Sequence, residues 1–281
     1  MFDFYGSHFE YAGKSSSDYG IIIANVDTER NKALAGELST NTVYNARNVR
    51  RYYIGDDRRD SMVEFDVEFI SDSDSPIGLQ DLRQIESWLL DVPGYRKLYI
   101  APQDDCLSEN SEVINGQTVR MYLNCRFVNP ERIEGNGGVL GIKATMQCDS
   151  CMAWQDSITY TYNLTNSSSS SNSTINVTVD SDLKDYIYPK VTIVAGSSGG
   201  DITINNNTDD INMSSPRLTK FDDVSGSATI VMKGEINYIS GEYYQKFSNK
   251  NFIRLLNGVN DISIIGDVKQ IVFEFSNRRW M

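Results

Sequence analysis

The sequence has little of what catalysis commonly uses. In 281 residues there is one histidine, His8, so any Ser-His-acid triad would have to be built on it. No Gly-x-Ser-x-Gly elbow is present to carry the serine. There are four cysteines and six prolines. No apolar stretch approaches the roughly 20 residues that span a bilayer. Met1 to Glu10 has no basic segment followed by an apolar one, so a secretory leader is not expected. A chain made in a cytoplasm has no reason to form disulfides. On that reading the Asn-x-Ser/Thr triplets, such as Asn163-Leu164-Thr165, are a by-product of composition. Basic residues are also short, 26 against 38 acidic, giving a net charge of −12. Such a surface does not grip nucleic acid, because phosphate binding needs Lys and Arg to displace counterions.

The remaining chemical motifs are weak. Cys148-Asp149-Ser150-Cys151 is a C-x-x-C, but no helix follows it to activate a thiol. As half of a zinc site it lacks a second close pair, since Cys106 and Cys125 are far apart in sequence. Two small half-buried residues at a strand end are the alternative reading. Asp56-Asp57, Asp72-x-Asp74 and Asp104-Asp105 lie in expected turns and do not fit a calcium loop. Gly196 to Gly200 lacks the Lys-Ser/Thr ending of a phosphate loop. No metal and no cofactor is expected, and no enzymatic activity.

What the chain does have is Tyr (16) and Phe (11), together with many Val, Ile and Thr, which favour strands. Met62 to Phe69 alternates strictly, with Val63, Phe65, Val67 and Phe69 on one side and Glu64, Asp66 and Glu68 on the other. Ser75-Pro76 predicts a helix start, and Ile77, Leu82, Ile85, Trp88 and Leu89 form an apolar stripe that Pro93-Gly94 terminates. Lys97 to Ile100 predicts a strand. Asn115-Gly116 predicts a hairpin turn between Val113-Ile114 and Val119 to Val128, and Val139 to Cys148 is a further strand. Residues 1–150 therefore predict a sheet system with one packed helix.

The second half has no helical period. Ile158 to Leu164 and Ile175 to Val179 alternate, separated by a Ser-rich loop, Asn166 to Ser173. Short strands follow at Pro189 to Val194, Asp201 to Asn205, Ala228 to Met232, Glu235 to Ile239, Phe252 to Leu256, Asp261 to Ile265 and Ile271 to Phe275. Regular short strands between turns describe a β-sandwich. The fold class is mainly β, with domains at 1–150 and 151–281. The first carries 15 basic and 24 acidic residues, the second 11 and 14.

Arg47, Arg50, Arg51, Arg58 and Arg59 crowd one stretch with Tyr44, Tyr52 and Tyr53, just before the acidic strand. Arg and Tyr are favoured at interface centres. In a self-assembling protein these arginines would meet an acidic patch on a neighbouring copy, with Glu64, Asp66 and Glu68 near the other side. Tyr186, Tyr188, Tyr243 and Tyr244 are candidates for stacking on sugar rings or touching a partner.

Several segments resemble the distal tail protein (Dit) family of siphophages. Phe2-Asp3-Phe4-Tyr5-Gly6 with Asp18-Tyr19-Gly20-Ile21 resembles the family's opening. The helix to Leu90 followed by Tyr95 to Ile100 resembles its helix-strand unit. Met146 to Trp154 resembles its domain junction, with Cys151 where Pro is common. Tyr188 to Ile193 with Gly199 to Asn206, and Phe252 to Ile264 with its Asn257-Gly258-Val259-Asn260 core, resemble strands of the second domain. The resemblance implies a ring-forming N-terminal β-sandwich decorated by a helix and a hairpin, and a galectin-like C-terminal β-sandwich. It implies a homo-hexamer at the end of a long non-contractile tail, made in the host cytoplasm and carried in the virion. The implied partners are the tail tube protein and the tail hub, a tail-associated lysin or fibre protein. Receptor-binding proteins at the periphery are a further implied partner. DNA would pass through the lumen without specific binding, and there is no membrane partner. The alternative reading is a carbohydrate-binding adhesin module; a ring protein from a contractile tail or tail-like particle is a further one.

Overall fold

The computed structural model describes residues 8–27, 37–45, 50–59, 64–73, 75–101, 111–135, 137–165, 168, 170–209 and 217–280. The chain divides into two compact units that interleave in sequence. Unit 1 holds Met1–Glu112, Arg120–Gln155 and Arg279–Met281; unit 2 holds Val113–Val119 and Asp156–Arg278.

Unit 1 contains β1 (His8–Tyr11), β2 (Lys14–Ser15), β3 (Ile21–Asp27), β4 (Glu37–Asn45), β5 (Arg50–Arg59), β6 (Glu64–Ser71), α1 (Leu79–Leu90), β7 (Arg96–Ala101), β8 (Ser111–Ile114), β9 (Gln117–Gly135), β10 (Gly138–Cys148) and β11 (Met152–Gln155). Its main sheet has ten strands in the order β2-β1-β7-β9-β10-β6-β3, with β8 and β11 also pairing with β9. The tenth, β21 (Arg278–Trp280), comes from the far end of the sequence and pairs with β11. The expected alternation on β6 is observed: Phe65, Val67 and Phe69 are buried, while Glu64, Asp66 and Glu68 are half-exposed. Val63 lies outside the described residues.

Helix α1 covers the core face with Leu82, Ile85, Trp88 and Leu89. The Trp88 indole stacks on Phe9 (5.5 Å) and Tyr19 (4.5 Å). Its Nε1–H donates to the Tyr11 carbonyl at 2.9 Å, so the polar end of this large buried ring is satisfied. The helix starts at Leu79 rather than in the Pro76 turn, and Gly78 is its N-cap, with no side-chain capping bond. The reason is competition. The Ile77 N–H is committed to the Val139 carbonyl (2.8 Å), and Pro76 lies against Gly138, so the chain is held extended until Gly78. The Asn115-Gly116 turn is as expected, with positive φ at both residues (51° and 72°).

Strands β4 and β5 form a two-stranded sheet of their own that pairs with no other described strand. Its register places Glu37 opposite Arg59, Leu38 opposite Arg58, Tyr44 opposite Arg51 and Asn45 opposite Arg50.

Unit 2 is a two-sheet sandwich. Its elements are β12 (Ile158–Asn163), β13 (Asn172–Val179), β14 (Lys190–Ala195), β15 (Gly200–Asn206), β16 (Thr219–Val224), β17 (Thr229–Lys233), β18 (Tyr238–Ile239), α2 (Tyr243–Lys246), β19 (Gly258–Ile265) and β20 (Val268–Phe275). One sheet runs β12-β20-β14-β17-β18 and the other β13-β19-β15-β16. Their inner faces share one core, including Val191, Ile193, Phe221, Ile262 and Phe273, each fully buried. Tyr160 and Tyr162 on edge strand β12 donate their hydroxyls to the Thr178 and Asn176 carbonyls of edge strand β13. These bonds stitch the two sheets along one side.

Two expected strands differ. Glu235 to Ile239 is a 3-10 turn (Gly234–Ile236) followed by the short β18. Phe252 to Leu256 is not a strand but a segment with a single bridge, Leu255 to Ile187. Phe252, Ile253 and Leu255 are all buried, and consecutive buried side chains are incompatible with a half-exposed strand.

Two polar clamps hold the loops of unit 2. The Asn260 side chain, fully buried, accepts from Leu256 N (2.8 Å) and from Asn206 Nδ2 (2.9 Å). It donates to the carbonyls of Leu256 (2.8 Å), Gly258 (3.2 Å) and Val177 (3.3 Å). The Asp267 carboxylate, also buried, accepts from Ser198 N (2.7 Å) and Gly199 N (3.0 Å). The Gly196-to-Gly200 segment is thus a turn tied to the turn between β19 and β20, as its sequence suggests.

Candidate functional site

The residues weighed for catalysis or metal binding lie as follows. His8 sits on β1, half-buried, with Nδ1 3.4 Å from the Ser16 hydroxyl. Cys125, Cys148 and Cys151 are buried free cysteines. Burial pushes the Cys125 and Cys148 thiols up, Cys148 to about 12, with the neighbouring Asp149 carboxylate adding to both. A thiol held protonated in this way is a slow nucleophile, because the thiolate is the reactive form. Among the described residues no group of three or more His, Cys, Asp or Glu could hold a metal ion. Cys106 lies outside the described residues.

The interface candidates fall on two elements. Arg50, Arg51, Arg58 and Arg59 are on β5 of the separate hairpin, and Arg47 lies outside the described residues. Glu64, Asp66 and Glu68 are on β6, on the side of the sheet away from α1. Two of these acids already have partners on β10. Glu64 accepts from Gln147 Nε2 (2.7 Å), and Asp66 accepts from the Thr145 hydroxyl (3.2 Å) and pairs with Lys143 (3.4 Å). These pairs are half-exposed and worth little each.

The same sheet face carries a cation–tyrosine ladder on β7 and β9 that sequence reading missed. Arg120 lies 3.8 Å over the Tyr99 ring, Lys97 3.9 Å over Tyr122, and Arg126 5.5 Å over Tyr95. Arg120 also pairs with Glu10 at 3.0 Å, and Arg126 donates to Gln147 at 2.9 Å. The signal was split between two segments about 25 residues apart, which only strand pairing unites. Outward from α1, one sheet face thus runs from cations over tyrosines on β7 and β9 to carboxylates on β6.

The four candidate tyrosines lie in two places. Tyr186 and Tyr188 flank the Ile187 bridge, and Tyr243 and Tyr244 are in α2. Tyr188 and Tyr243 pack against the core. Tyr186 and Tyr244 are exposed, but each ring has a cation over it: Arg254 at 3.6 Å and Lys250 at 4.3 Å. Arg254 is fixed there by a two-pronged pair with Asp209 (2.7 and 3.0 Å). A sugar ring would have to compete with these cations for the aromatic faces.

Comparison with known proteins gives consistent matches. The family profile described as Phage tail protein N-terminal domain matches residues 4–150, and that described as Phage tail C-terminal domain matches residues 152–275. The fold is similar to the Dit protein of phage SPP1, described as a paradigm of the hub adsorption apparatus of phages infecting Gram-positive hosts. That match has a TM-score of 0.61 at 13% identity over 96% of this chain and 98% of that one. A chain of the phage P2 baseplate in its activated conformation with Ca is similar with a TM-score of 0.50 at 10% identity, over 96% and 98%. No curated protein sequence matches this chain.

Proposed function

This chain belongs to the phage tail protein family, with both of its domains in order, and on that premise we propose that it is the distal ring protein of a long non-contractile tail. The observation that carries the reading is the end-to-end agreement of its fold with a Dit protein over 96% of the chain. Six copies form a ring that joins the tail tube to the hub or fibre protein and to receptor-binding proteins, and the role is structural rather than enzymatic. Each copy brings a net charge of −12, so the ring lets DNA pass without holding it.

Ring closure needs a contact in which one patch meets a different patch on the next copy. The β4–β5 hairpin supplies one such patch. A two-stranded sheet that pairs with no other described strand is marginal in water, which favours its being completed by a neighbour. In this reading Arg50, Arg51, Arg58 and Arg59 of that hairpin meet Glu64, Asp66 and Glu68 of the next copy. Light scattering with negative-stain imaging tests the reading. Rings of about 190 kDa, six times 31.7 kDa, are expected. Reversing Arg50 and Arg51 to Glu leaves a folded monomer. A normal ring from that variant refutes the contact, and a wild-type chain that stays monomeric with tail tube protein present refutes the ring.

A further inference from the structure

Cys125 on β9 and Cys148 on β10 are direct cross-strand partners. The hydrogen bond beside them, Asp149 N to Asn124 O at 2.9 Å, identifies the kind of pair. When the residue after one member donates to the residue before the other, the two do not exchange backbone bonds themselves. They form the narrow, non-hydrogen-bonded pair of an antiparallel ladder. Such pairs bring Cα atoms to about 4.5 Å, with the side chains closer still than in the wide pairs. A disulfide needs Cα atoms about 4.4–6.8 Å apart, so this spacing falls inside its range, at the short end. Directly opposed residues share a face, and both thiols are on the core side, 0% and 1% exposed.

We propose that Cys125 and Cys148 are a latent cross-strand disulfide, reduced while the chain is made and closed after release by a small peroxide. The timing rests on the tail-protein reading, in which the chain leaves a reducing cytoplasm; the chemistry does not. One thiolate attacks hydrogen peroxide, breaking the O–O bond and giving a sulfenic acid and water once protonated. The second sulfur then displaces hydroxide from the sulfenic sulfur, the S–S bond forms and a second water leaves. Two thiols lose two electrons and two protons, and the peroxide is reduced to two waters. Bulky disulfide reagents cannot reach sulfurs this deeply buried, whereas peroxide is close to water in size. The raised thiol values make closure slow, set by the rare thiolate or by brief opening between β9 and β10. The bond would tie β9 to β10 in the middle of the sheet that α1 covers.

The test treats the purified full-length chain with dilute hydrogen peroxide, unfolds it, alkylates the remaining thiols, and maps linked peptides by mass. The expected result is two thiols lost together and one linked pair joining the Cys125 and Cys148 peptides, reversed by dithiothreitol. The link is absent from Cys125→Ala. The closed form should unfold with a midpoint on the order of 10 °C higher, followed by tryptophan fluorescence. The proposal is overturned if the pair remains reduced after prolonged exposure, or oxidises singly to sulfinic acid, or if the link joins a different cysteine. Cys125→Val/Cys148→Ala, which fills similar space, separates loss of the bond from loss of packing by showing no peroxide-dependent shift. A chain that closes the bond yet forms no ring refutes the tail reading alone.

Discussion

Replacing Asn260 with Ala should cost unit 2 about 3–5 kcal/mol. The Leu256 N–H loses its partner and is left unsatisfied, which costs about 1–3 kcal/mol. The Leu256 and Gly258 carbonyls and the Asn206 amide each lose one bond, at about 0.5–1 kcal/mol apiece, while Asn206 keeps its bond to the Arg254 carbonyl. For a unit of roughly 130 residues this is a fall in midpoint on the order of 15 °C. Far-UV circular dichroism is the appropriate probe, because Trp88, Trp154 and Trp280 all belong to unit 1 and none to unit 2. Asn206→Ala and the double variant complete a cycle, and the pair should couple by about 0.5–1.5 kcal/mol. Asn260→Asp should be at least as damaging as Ala, because it removes both donors and turns a charge toward three carbonyls. An Asn260→Ala chain within 1 kcal/mol of wild type by denaturant titration would refute the view that this side chain holds the loop.

Gly196→Ala should destabilise unit 2 by about 3 kcal/mol or more in the same titration, because its Cβ would lie 1.8 Å from the Asp267 carboxylate and evict the acceptor of Ser198 and Gly199. Trp88→Phe should cost about 2 kcal/mol, from lost area and the lost bond to the Tyr11 carbonyl, read as a lower midpoint for unit 1. Alkaline stability should fall from about pH 9 toward pH 12. Cys148 holds its proton more tightly when folded, so the unfolded chain releases it first and each rise in pH favours unfolding until the folded thiol also ionises. Cys125→Val/Cys148→Ala should flatten that decline in pH-jump unfolding, and an unchanged slope would assign it elsewhere.

The sequence made β6 legible because one face of it is buried and the other is not, so period two is written in Phe65, Val67 and Phe69. The α1 stripe was legible for the same reason at period 3.6. Its start was not, because the capping signal at Ser75-Pro76 was outcompeted by the Ile77 bond to β10. Phe252 to Leu256 misled because its apolar density reflects burial on more than one side rather than strand pairing. Of the candidate site, the Arg-rich stretch and the acidic strand were visible as local clusters. The ladder of Lys97, Arg120 and Arg126 was not, since each cation meets its tyrosine only through the pairing of β7 with β9 or a turn beside it. Asn260 reads locally as one more turn residue, while one of its acceptors, Val177, is 83 positions away.

The interleaving of the two units has a consequence for synthesis. Strand β11 leaves the ribosome just before the main segment of unit 2, Asp156–Arg278, yet its partner β21 follows only after the whole sandwich has been translated. Unit 1 therefore waits with one sheet position unfilled while unit 2 is made, and its final closure joins segments more than 120 residues apart. Contacts of such long separation form slowly and leave strand edges exposed in the interval. Severing the chain once near residue 150 would carry β11 and β21 away from their neighbour β9 rather than free two finished domains, so limited proteolysis at that junction should release no stable unit 1.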